Sequence, residues 1–176
     1  MTEKGLIHLY YGSGKGKTTA ALGLALRASG AGRQVVIVQF LKKKPCGELK
    51  QLALLPNITV LRGKAGEVFV RDMDEAEREA TGKIQNANLR QAQNLVRKGQ
   101  CDLLILDEAL DACRLGLLDG LILEDLIRRK PTALELVITG HSPVDWIIDQ
   151  ADYVTEMMKH KHPYDAGIKA REGIEY

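Results

Sequence analysis

Residues 12–19, Gly-Ser-Gly-Lys-Gly-Lys-Thr-Thr, stand between an apolar run (Gly5 to Tyr11) and an alanine- and leucine-rich segment that reaches Gly30. A strand, a glycine loop and a helix in that order present backbone N–H groups and the positive end of a helix to an anion. Gly12, Gly14 and Gly16 allow a phosphate close to the backbone, Lys17 reaches phosphate oxygens, and the Thr18 hydroxyl suits a Mg²⁺ (or Mn²⁺) ion that bridges them. Ser13, Lys15 and Thr19 complete the nucleotide-binding set. The usual pattern G-x-x-x-x-G-K-[ST] needs a glycine where Tyr11 stands; the first available one is Gly12, so the loop is one residue short. The plain alternative, a glycine-rich turn after a strand, does not account for the adjoining Lys-Thr-Thr.

The rest of the chain alternates. Arg33–Phe40, Asn57–Leu61, Cys101–Glu108 and Ala133–Gly140 read as strands, Arg33–Phe40 and Cys101–Glu108 apolar enough to be buried and Asn57–Leu61 the weakest. Between them, Met73–Lys98 has helical periodicity, with Ile84, Ala87, Ala92 and Leu95 on one broad face and Gly99 as a stop. Ala109–Arg114 and Leu121–Arg129 follow as helices, and Pro143–Met157 reads as a helix and a short strand, with Val144, Trp146 and Ile147 as helix core. The glycine-bearing stretch after Leu61 reads as a loop over the sheet. This β-α-β-α order predicts an α/β fold, a mainly parallel β-sheet with helices on both faces. At 176 residues the chain suits one domain, residues 1–176.

Two chemical signals accompany the loop. "LLILDE" ends a buried strand in Asp107 and Glu108, carboxylates that can hold a metal directly or through water at the carboxyl edge of the sheet. "ITGHSP" ends the next strand on the same edge, where His141 reads equally as a phosphate contact or as a turn histidine facing water. No Ser, Cys or His stands in an evident nucleophile-and-base pattern. A nucleotide and a metal are indicated; the group transferred is not.

Composition narrows the partners. With 25 basic and 23 acidic side chains the net charge is +2, which asks for no nucleic acid. The three cysteines lack C-x-x-C spacing, so a reduced, cytoplasmic chain is expected. No apolar run approaches the ~20 residues of a membrane span.

The shortened loop "GSGKGKTTA", then "VVIVQFLK", Gly47-Glu48, "LLILDE", "VITG", "ADYVTEM" and the closing "KHPYDAGIKAREGIEY" resemble, in order, the P-loop ATP:corrinoid adenosyltransferases of the cobalamin pathway. The resemblance implies a single RecA-like P-loop domain, homodimeric, with residues 160–176 as a tail contributing to the site. It implies ATP and a reduced corrinoid as substrates, Mg²⁺ as cofactor, and a cob(II)alamin-reducing flavoprotein as partner. It further implies that the triphosphate lies reversed in the loop, so that C5′ of the ribose is attacked and triphosphate leaves. On that resemblance Gly12 to Thr18 hold the nucleotide, Thr18 and Glu108 the metal, and Phe69 lies beside the corrinoid; Lys17, Thr18 and Phe69 are the catalytic candidates. The chain departs from the pattern at Ser13 (commonly Asn), His141 (commonly Arg) and Glu67 (commonly aromatic), and its first strand lacks the leading helix of some members. These departures leave the ATP assignment intact and bear on corrinoid choice and efficiency.

Two other classes compete: a P-loop ATPase or small-molecule kinase cleaving at the γ-phosphate, with Glu108 positioning water, and a nucleotide-dependent switch without turnover. The polar tail discriminates, since an ATPase has no need of it.

Overall fold

The computed structural model describes residues 4–42, 46–66 and 68–175, so Glu67 and Tyr176 lie outside the described residues. Six strands form one sheet: β1 (Ile7–Tyr11), β2 (Val35–Gln39), β3 (Ile58–Arg62), β4 (Leu103–Asp107), β5 (Glu135–Thr139) and β6 (Tyr153–Glu156). Their spatial order is β3-β2-β4-β5-β1-β6, and every pairing is parallel. The helices are α1 (Lys17–Gly30), α2 (Gly47–Leu52), α3 (Glu75–Arg97), α4 (Ala109–Arg114), α5 (Gly120–Arg128) and α6 (Asp145–Gln150), with 3₁₀ turns over Val70–Asp72 and Pro163–Ala166. The fold is a single α/β domain of the RecA-like P-loop kind, its sheet parallel throughout. Strand β5 lies between the strand that leads into the glycine loop and the strand that ends in Asp107.

Alternation along β2 shows why its sequence is continuously apolar. Val36, Val38 and the following Phe40 pack with Leu89, Ala92 and Val96 of α3, whereas Val35 and Ile37 pack on the other face with Ala21, Leu22 and Ala25 of α1. A strand covered on both sides has no solvent face on which to place polar residues. Edge strand β6 is the opposite case, exposed at all four positions.

Helix α3 begins at a capping box: the Asp74 carboxylate accepts from the Glu77 N–H at 2.7 Å, and the Glu77 carboxylate accepts from the Asp74 N–H at 3.3 Å. Gly99 follows its end at φ 68°, a left-handed conformation suited to glycine. Its buried stripe differs from the one expected. Thr81, Gln85, Leu89, Ala92, Gln93 and Val96 face inward, Ile84 and Leu95 are half-buried and Ala87 is exposed. Apolar identity misleads there because two glutamines and a threonine occupy the inner face. Val144, expected in the core, is 51% exposed, while Ile147 is buried. Trp146 packs partly on the core under the Arg128 guanidinium, 5.1 Å from its ring. The short helix α2 has no counterpart in the periodicity.

Candidate functional site

The glycine loop joins β1 to α1 at the carboxyl edge of the sheet. Gly12 (φ 108°) and Gly16 (φ 121°) hold backbone conformations that other residues adopt only under strain. Gly12 and Gly14 have a second reason to lack side chains: a Cβ there would stand 2.5 Å and 2.7 Å from the Met157 carbonyl oxygen. The chain leaving β6 crosses the loop directly, and Gly14 N–H donates to that carbonyl at 2.6 Å. The Lys159 N–H donates to Ser13 Oγ at 3.3 Å. Lys17 folds back over the loop, its Nζ donating to the carbonyls of Gly12 (2.7 Å) and Gly14 (2.8 Å). Burial holds the Lys17 pKa below its ordinary value, with the carboxylates of Asp111, Glu108 and Asp107 offsetting only part of that fall. Lys15 and Thr19 are exposed beside it.

Asp107, at the end of β4 and fully buried, gathers the neighbouring elements. Its Oδ1 accepts from Thr18 Oγ1 and from Thr139 Oγ1, each at 2.8 Å, and its Oδ2 accepts from Lys42 Nζ at 2.6 Å. Lys42 also reaches Thr18 Oγ1 (3.2 Å) and Glu108 Oε1 (3.6 Å). The helix start, the ends of β4 and β5 and the segment after β2 therefore meet at one carboxylate. Burial opposes the charge on Lys42, yet Asp107 and Glu108 together outweigh it and its pKa is raised. Glu108 is pushed up by burial, with Lys42 acting against that rise and Asp107 and Asp111 adding to it. Its backbone stands at φ 62°, a left-handed conformation costing about 1–3 kcal/mol in a non-glycine residue. Outliers of that cost are found where the surrounding structure needs a side chain re-aimed.

His141 is tied to Asp111 of α4, a carboxylate that the sequence did not suggest. Asp111 Oδ2 accepts from the His141 N–H (3.0 Å) and lies 2.9 Å from His141 Nδ1. The His141 carbonyl in turn accepts from Gly12 N–H at 3.0 Å, so the imidazole is carried on a turn bonded to the glycine loop. Beside Asp107 in register on β2, Gln39 is 1% exposed, and neither polar atom of its amide has a hydrogen-bond partner among the described residues.

Phe69 stands apart from this group. Its loop leaves β3, and β2, β4 and β5 separate that strand from β1. The ring is 64% exposed, with the Arg71 guanidinium 5.6 Å from its centroid. Lys64 braces the loop, its Nζ donating to the carbonyls of Val68 (2.6 Å) and Gly66 (3.3 Å).

Residues 3–176 match the ATP:corrinoid adenosyltransferase BtuR/CobO/CobP family. The chain belongs to that family. It is 35% identical to a corrinoid adenosyltransferase of Pseudomonas aeruginosa, an alignment covering 99% of this chain and 85% of the relative. It is 33% identical to the corrinoid adenosyltransferase of Escherichia coli K12 and 34% identical to corrinoid adenosyltransferase CobA of Salmonella typhimurium, with 99% of this chain and 87% of the relative covered in each case. This adenosyltransferase is therefore a transferase of cobalamin biosynthesis or salvage, with ATP and a corrinoid as its substrates. Among the described residues no helix is long and apolar enough to cross a membrane.

The structure brings Gly12 to Thr18, Asp107, Glu108 and His141 to one end of the sheet and leaves Phe69 on a separate loop. Lys42, Thr139, Asp111 and Gln39 join the first group without having been singled out. Thr139 and Lys42 lie within the quoted segments "VITG" and "VVIVQFLK", but nothing in a single threonine or lysine marks it as a partner of a distant aspartate.

Proposed function

We propose that this adenosyltransferase holds the triphosphate of ATP on the loop from Gly12 to Thr18, with Ser13, Lys15 and Thr19 at its rim, Lys17 on the phosphates and His141 at the loop's entrance. The reading rests above all on one observation: Thr18 and Asp107 are bonded at 2.8 Å with Glu108 beside them, so that a hydroxyl and two carboxylates surround a cation, here the Lys42 ammonium. An oxygen donor set of that kind fits a magnesium or manganese ion, which keeps open positions for water and phosphate. Such an ion, when bound by Thr18, Asp107 and Glu108, supplies electrostatic stabilisation of negative charge on the triphosphate.

In this reading the triphosphate is the leaving group. The electron pair on the reduced cobalt of the corrinoid substrate forms the Co–C5′ bond, the C5′–O bond breaks, and that pair departs with inorganic triphosphate. No proton has to be removed from the nucleophile, so the step asks for no general base. Lys17 and the loop N–H groups are preorganised donors for the departing oxygen. Phe69 packs against the corrinoid, and the tail over residues 160–176 contributes to the site, following a segment whose Met157 and Lys159 contact Gly14 and Ser13. The active form is a cytoplasmic homodimer that receives its reduced corrinoid through a cob(II)alamin-reducing flavoprotein.

Anaerobic incubation with ATP, Mg²⁺ and chemically reduced corrinoid tests the reading. Intact triphosphate and adenosylated corrinoid are expected in equal amounts, with ATP alone left nearly unhydrolysed. Robust ADP formation without corrinoid would instead identify attack at the γ-phosphate.

A further inference from the structure

We propose that Lys42 is a built-in cation that competes with the divalent metal for Thr18, Asp107 and Glu108, so that metal enters this site together with nucleotide and not before it. The inference rests on the metal assignment proposed above and adds to it an order of binding.

Three observations carry it. Lys42 Nζ lies 2.6 Å, 3.2 Å and 3.6 Å from oxygens of the same three side chains that would hold the metal, so the two cations exclude one another. The Asp107 side chain is fully buried and that of Lys42 a quarter exposed. A buried carboxylate left without a cation is costly, and Lys42 removes that cost while no metal is bound. Finally, the segment that delivers Lys42 combines a fixed point with a strained one. The Phe40 N–H donates to the Asp107 carbonyl at 3.0 Å, and Phe40 itself is fully buried. Leu41, the next residue, turns to φ 59° and so aims Lys42 back at the end of β4. A leucine in the left-handed region is sustained only by surrounding contacts. Giving up the Lys42–Asp107 contact relaxes this turn, and the long, flexible stem lets the ammonium follow the phosphates when they arrive. Metal alone must displace Lys42 with nothing to receive it; metal with ATP brings an acceptor for the displaced charge.

The probe is Mn²⁺, with free ion counted by electron paramagnetic resonance, on the whole chain with and without ATP and without corrinoid. Wild type is expected to bind Mn²⁺ weakly alone and at least tenfold more tightly with ATP, once the ion held by ATP in a protein-free blank is subtracted. Lys42→Met is expected to bind Mn²⁺ alone at least tenfold more tightly than wild type, and Lys42→Arg to behave as wild type. Lys42→Gln, which keeps a hydrogen-bond donor and so protects folding, should follow Lys42→Met. In thermal melts without nucleotide, Mn²⁺ should raise the Tm of Lys42→Met and Lys42→Gln by several degrees and leave wild type nearly unmoved. Equal or weaker Mn²⁺ affinity in both neutral variants, with ATP-dependent binding intact, would overturn the inference and leave the metal site standing. Failure of wild type to bind Mn²⁺ even with ATP would overturn the metal assignment and the inference with it.

Discussion

The two sides of the carboxyl edge are built differently. Around Asp107 nearly every polar group is matched inside the chain: Thr18, Thr139 and Lys42 converge on one carboxylate that has no solvent exposure. Along the loop after β3 and in the segment after β6, large apolar side chains face outward instead, with Phe69 64%, Met158 63% and Tyr164 74% exposed. A polar cluster completed from within holds its carboxylate and hydroxyls in place before any ligand arrives. Apolar groups left outside gain only when something covers them. The contrast sets a polar cluster matched within the chain against exposed apolar side chains on the segments that follow the two edge strands, β3 and β6.

The sharpest way to break this division is Asp107→Ala. Removing the carboxylate strands the Lys42 charge and two hydroxyls in a largely buried site, and loss of one partner of a buried ion pair costs about 3–5 kcal/mol. Denaturant unfolding is expected to show a loss in that range, together with loss of adenosyl transfer. A variant as stable as wild type would mean that the cluster is an ornament of the fold.

The same division explains what could be read from the sequence. Strands β2, β4 and β5 were legible because residues buried on both faces must be continuously apolar, and the loop with α1 was legible because glycines and a Lys-Thr pair follow one another without interruption. Asp107 and Glu108 stood out as charges ending an apolar strand. Lys42, Thr139 and Asp111 did not, since what brings them to the site is the order β2-β4-β5-β1, a property of crossovers between distant segments. The inner face of α3 was misread for a related reason: Gln85 and Gln93 are buried by the surface they meet, which local periodicity does not encode.

Lys17→Ala sharpens the comparison from the ligand side. Among the described residues the ammonium hydrogen-bonds to the carbonyls of Gly12 and Gly14 within the loop, so the fold should survive its removal. A charge-assisted contact to phosphate is worth roughly 1.5–3 kcal/mol, so ATP affinity by titration calorimetry should fall by a factor of about ten to a hundred. Unchanged affinity and rate would remove the loop from the active site.

Gly14→Ala tests whether the two sides are coupled. A Cβ there meets the Met157 and Met158 carbonyls at 2.7 Å and 2.8 Å, so the chain after β6 must move away. Overpacking of this kind costs about 1–3 kcal/mol. Hydrogen exchange should rise at Gly14 and through residues 157–159 while β2 and β4 stay protected. Exchange confined to the loop would show that the segment after β6 is held by other contacts.

Phe69→Ala should have the smallest effect on the folded chain and a selective one on turnover. An exposed ring on a loop braced by Lys64 gives the core little, so stability should stay within about 0.5 kcal/mol of wild type. ATP affinity should not move, because three strands separate β3 from the strand that feeds the glycine loop. If the ring lies against the corrinoid, adenosyl transfer slows and the corrinoid KM or kcat carries the whole change. An equal loss of ATP affinity would couple the two sides more tightly than the hydrogen bonds suggest. A drop in Tm of several degrees would make Phe69 a packing residue despite its exposure, and the open side would then have to be sought in the apolar residues of the tail.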